Sequence, residues 1–63
     1  MDTTTHAPLE VSGEEREVLA ELLESERTKL FIEIRHTHHR SYRDALRARL
    51  ETVEHLEERV KAA

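Results

Sequence analysis

From Glu14 to Ala63 the chain contains neither glycine nor proline; its single Pro8 and single Gly13 both lie earlier. These two residues are the main punctuation of strands, hairpins and loops, because glycine supplies positive φ and proline fixes φ while removing a donor. A stretch of this length without them is hard to cut into short strands. It is also rich in Glu, Leu, Arg and Ala, which hold helices well. The chain is therefore expected to be all-α, with long helices interrupted at very few points.

The apolar pattern supplies one interruption. On a wheel of 100° per residue with Leu22 at zero, Val18, Leu19, Leu22, Leu23, Leu30 and Ile34 fall between about −40° and +120°, a single apolar arc. Tyr42, Leu46, Leu50, Val53 and Val60 form a second arc of about 80°, flanked by Leu56. Between the arcs, Thr37-His38-His39-Arg40 has no apolar residue. Ser12 and Glu15 make a capping box before the first arc. Ser41 and Asp44 give a second cap signal, with Thr37 or His38 as alternatives. The reading is a two-helix antiparallel hairpin over residues 12–63. Helix 1 covers about 13–36, a turn about 37–40 and helix 2 about 41–62. Residues 1–11 are read as a flexible tail. A strand competes only at "LFIEIR", where Ile32 and Ile34 alternate with Glu33 and Arg35, and it would have no partner strand.

A hairpin of 63 residues without cysteine has no disulfide or cysteine-held metal to staple it, and so small a core is marginal alone. Self-association is the expected remedy. Leu30 and Ile34 face the second helix, whereas Phe31 and Ile32 point elsewhere, so this end of helix 1 is apolar around much of its circumference. The interface residues expected, within and between hairpins, are Leu19, Leu22, Leu23, Leu30, Phe31, Ile32, Ile34, Leu46, Leu50, Val53 and Leu56. Two charge pairs fall at matching levels of an antiparallel hairpin, Glu26 with Arg49 and Glu33 with Arg43. Ion pairs there would penalise slipped registers more than they add stability.

Charge is unevenly spread. Residues 1–34 hold nine acids and three bases, residues 35–49 hold five arginines against Asp44, and residues 50–63 return to a balance of −2. The hairpin is thus expected to have a basic tip (Arg35, His36, His38, His39, Arg40 and Arg47) and an acidic open end. Two copies lying antiparallel would set each tip beside the other's acidic end. That arrangement makes a four-helix bundle, and a homodimer of this kind is the expected assembly.

Little suggests chemistry. Glu33-x-x-His36 has the spacing of carboxylate-bridged di-metal bundles, but Tyr42 and Arg43 stand where a bridging carboxylate would be needed. No metal or other cofactor is expected. The chain is too small to enclose a typical substrate pocket, and no enzyme is expected. The Arg/His tip leaves a small nucleic-acid-associated protein as one rival reading, and a metal-binding bundle as a second. Met1–Glu10 lacks the basic start and apolar run of a secretory leader. No stretch reaches the roughly 20 apolar residues of a membrane span, and a cytoplasmic location is expected.

"EIRHT" followed by "YRDALRARLETVEHL" resembles a recurrent type of short bacterial two-helix protein, in which an Arg-His-Thr step precedes an acidic cap and an aromatic-Arg pair. Glu33 to Thr37 and Tyr42-Arg43 match, and His38 stands where the acid belongs. The resemblance spans about Glu14 to Val60. It implies an α-hairpin in a bacterial cytoplasm and supplies no activity.

Overall fold

The computed structural model describes residues 10–62. The expected tail falls mostly on residues 1–9, which lie outside the described residues, as does Ala63. The fold is two helices, α1 (Gly13–His36) and α2 (Arg40–Ala62), packed on each other. No strand occurs among the described residues, and "LFIEIR" is the last part of α1.

Helix α1 begins as its capping box requires. Ser12 is extended at φ −73° and ψ 167°. Its Oγ accepts from the Glu15 N–H at 3.1 Å, and its own N–H donates to Glu15 Oε1 at 2.9 Å. The Ser12 carbonyl takes the first helical bond, from the Arg16 N–H, at 2.9 Å. Two otherwise orphaned donors are satisfied in this reciprocal way.

The turn is one residue shorter than expected. Only Thr37, His38 and His39 lie outside the helices, because the Arg43 N–H already donates to the His39 carbonyl at 2.9 Å. That bond opens α2 at Arg40 and puts Ser41 inside the helix, so the Ser41-x-x-Asp44 cap is not used. Helix α1 ends at Thr37 with φ −96° and ψ 136°. No residue has positive φ among those described, so the helix stops by an extended step and not by the left-handed glycine that usually closes one.

Leu30, Leu46 and Val53 form the core, with Leu23, Ile34 and Leu50 packed against it. Val60 is buried nearer the open end. Along α2 the covered positions Arg43, Leu46, Leu50, Val53, Glu57 and Val60 alternate spacings of three and four. This seven-residue repeat keeps one seam turned to a neighbouring helix. Thr52, outside the seam, satisfies its hydroxyl on the Ala48 carbonyl at 3.2 Å.

The seam is narrower than the apolar arcs. Val18, Leu22 and Tyr42, which the wheel groups with it, are 51%, 61% and 50% exposed. On α1 the contact runs along Leu23 and Leu30, about 90° from Leu22 on the wheel. One helix covers only a stripe of its neighbour, and the arc of α1 is wider than that stripe. The surplus faces outward.

Candidate functional site

Glu26 and Arg49 meet across the flank of the seam, with Arg49 Nε donating to Glu26 Oε2 at 2.7 Å. The hydrogen bond, and after it the charge of the carboxylate, hold the Arg49 pKa above its ordinary value. Both side chains remain partly open, 31% exposed at Glu26 and 65% at Arg49. Their shared level matches the antiparallel register in which Leu30 packs on Leu46.

Glu33 and Arg43 are not joined. Arg43 Nη2 instead donates to the Thr37 carbonyl at 2.9 Å, and Glu33 is exposed. Arg43 lies in the first turn of α2, where the end of α1 presents backbone acceptors at close range. Its guanidinium therefore supplies the terminal bond that an absent glycine cap leaves open. Its Nε is buried without a partner, a cost that offsets part of that bond.

On the opposite flank Arg27 Nε lies 3.7 Å from Glu57 Oε1. Glu57 stands about 12 Å further toward the open end than the residue level with Arg27. Side chains lean toward their own helix N-terminus. In an antiparallel pair this tilts Arg27 toward the open end and Glu57 toward the tip, so the two converge. Sequence reasoning missed this pair. Its only signal was Glu57 standing seven residues after Leu50, on the line of the seam.

These ion pairs orient the hairpin's two broad sides. Leu22 precedes Glu26 by four residues and Val18 precedes Leu22 by four. Tyr42 and Leu56 flank Arg49 at seven residues each way. All therefore lie on the Glu26–Arg49 side. Ile32 stands nearly opposite the Leu23–Leu30 seam, on the outer face of α1. Phe31 follows Arg27 by four residues and belongs to the other. Of the five large apolar residues left exposed among the described residues (Val18, Leu22, Phe31, Ile32 and Tyr42), Val18, Leu22 and Tyr42 lie on the Glu26–Arg49 side with half-buried Leu56, and Ile32 lies on the outer face of α1 next to it. The opposite side carries the exposed Glu24, Arg40, Arg47, Glu51 and Glu58 along its length besides Phe31, and it is predominantly charged.

At the tip, Arg35, His36, His38, His39, Arg40 and Arg47 are all exposed. Glu33 and His36 share a helical face, yet no group of three or more His, Asp or Glu side chains is placed to hold a metal ion among the described residues. No helix among them is long and apolar enough to cross a membrane. The depressions along the hairpin are open surface grooves. One lies where the segment before α1 meets that helix, between Glu10, Val11 and Val18. No family model, curated protein or solved structure matches the chain.

Proposed function

We propose that this protein is a non-catalytic interaction module that works by self-association, two hairpins pairing antiparallel into a four-helix bundle in the cytoplasm. One observation carries the reading: among the described residues only four apolar side chains are buried, Leu30, Leu46, Val53 and Val60, while five large ones stay exposed. A burying partner would contribute about 1.5–3 kcal/mol for each large side chain it fully covers. The segregated charge supports the antiparallel sense, because tip beside tip would crowd the arginines and histidines of both copies. If association is linked to folding, the melting temperature of the helical signal rises with protein concentration. A melting temperature constant over a hundredfold dilution would contradict the reading.

The exposed tip cations favour a second reading, a nucleic-acid-associated protein. Only Arg43 among the central arginines is taken up by the backbone, leaving Arg35, Arg40 and Arg47 on the surface. This reading requires salt-dependent binding of labelled DNA or RNA, lost in the Arg40→Ala, Arg47→Ala double variant. Unchanged migration of the labelled probe at low salt would remove it.

A further inference from the structure

Three of the four large apolar residues that α1 exposes, Val18, Leu22 and Ile32, fall with Ser25 and Lys29 in a regular order, and Phe31 lies outside it. Val18, Leu22, Ser25, Lys29 and Ile32 are spaced by four, three, four and three residues, and all five are exposed. This is a second seven-residue stripe, separate from the seam that packs on α2. It is nearly symmetric about Ser25, which stands at the middle of α1 (Gly13–His36).

We infer that this stripe is where a second copy of the chain docks, α1 against α1 in antiparallel sense with the symmetry axis passing beside Ser25. The inference rests on the self-association proposed above and names its face. A two-fold interface brings the same patch of both copies together. With Ser25 at the centre, Val18 of one copy lies level with Ile32 of the other. Leu22 lies beside the alkyl stem of Lys29, and Ser25 meets its own counterpart. The small serine lets the two helices approach at the crossing, and the larger apolar residues fill the space on either side.

The alternative on the same side is a parallel dimer, with α1 of one copy over α2 of the other. It would set Leu22 against Leu56 in place of the Lys29 stem, so apolar burial does not favour the antiparallel form. Charge does. The parallel form sets two segments of residues 35–49, each with a balance of +4, beside each other, whereas the antiparallel form sets each beside the acidic start of α1. The other broad side is a poor choice for either form, since Phe31 is its one exposed large apolar residue among charged ones spread along its length.

Because the chain has no cysteine, single cysteines report this geometry directly. Ser25→Cys and Glu24→Cys place a thiol at the same level on different sides of α1, both at exposed positions. In a glutathione buffer, at a concentration where the parent chain is dimeric, Ser25→Cys is expected to form a disulfide-linked dimer at least about tenfold more completely than Glu24→Cys. Leu22→Ser should raise the dissociation constant about tenfold or more, and Phe31→Ser should change it less than about threefold. Preferential linking through Glu24→Cys would overturn the inference. So would absence of linking in both variants of a chain that sediments as a dimer, or a larger effect at Phe31 than at Leu22; each leaves self-association intact. A parent chain that is monomeric at high micromolar concentration would instead defeat the underlying reading.

Discussion

Arg43 reaches back across the turn and donates from Nη2 to the Thr37 carbonyl at 2.9 Å, so a side chain of α2 closes the end of α1. The hairpin needs this because no residue around the turn has positive φ. A charged donor to a carbonyl is worth about 1.5–3 kcal/mol, less the cost of its unpartnered Nε. Arg43→Ala is expected to lower the stability of the hairpin by about 1–2 kcal/mol, read as a lower urea midpoint of the helical signal. Arg43→Lys should recover part of the loss, since it restores a donor without the planar fork. A neutral Arg43→Ala would mean that water serves Thr37 equally well.

Glu26 and Arg49 are expected to be coupled. In a double-mutant cycle with alanine, the double variant should lose less stability than the two single variants together. The exposure of Arg49 keeps the coupling small, and raising the ionic strength should shrink it. A coupling of zero at low salt would show that the 2.7 Å contact adds nothing to register.

The start of α1 offers two neighbouring changes of opposite sign. Ser12→Ala removes the acceptor for the Glu15 N–H and should cost about 1 kcal/mol. Gly13→Ala should stabilise by about 0.4–1 kcal/mol. A Cβ there meets nothing within 4 Å, and Gly13 does not have positive φ. Thermal melts at one fixed protein concentration compare the two. Destabilisation by Gly13→Ala would indicate a contact that the isolated hairpin does not contain.

Leu30 and Leu22 share the apolar arc of α1 but differ in burial, at 2% and 61% exposure. Leu30→Ala should cost about 2–5 kcal/mol by opening a cavity in the core, enough to unfold so small a domain. Leu22→Ala should leave dilute, monomeric helix content nearly unchanged and act only on the assembled state. Equal losses from the two, measured at low micromolar concentration, would place Leu22 in the hairpin's own core.

Much of this architecture could be read from residue order. Ser12 and Glu15 mark the start of α1 because a capping box is a local device with a three-residue signature. The turn lies where apolar residues stop. Glu26 and Arg49 could be paired because antiparallel levels follow from the turn position alone. Val18, Leu22 and Tyr42 were less legible. A wheel shows the width of an apolar arc, but the partner helix decides which stripe of it is covered. Arg43 was drawn toward Glu33 by charge, and its actual acceptor is a backbone oxygen, which carries no sequence signal. Arg27 and Glu57 were missed because levels were matched at the backbone, whereas long side chains lean along the helix axis.

The central claim, that the exposed apolar side of the hairpin is covered by a second copy, is tested most directly by sedimentation equilibrium of the untagged chain. Measurements should run from about 1 to several hundred micromolar, a range that brackets micromolar dissociation constants. The account predicts a mass that climbs from the 7.4 kDa of one chain to that of a dimer, with Leu22→Ser shifting the transition to higher concentration. A single monomeric species across the whole range, with helix content already complete, would contradict it.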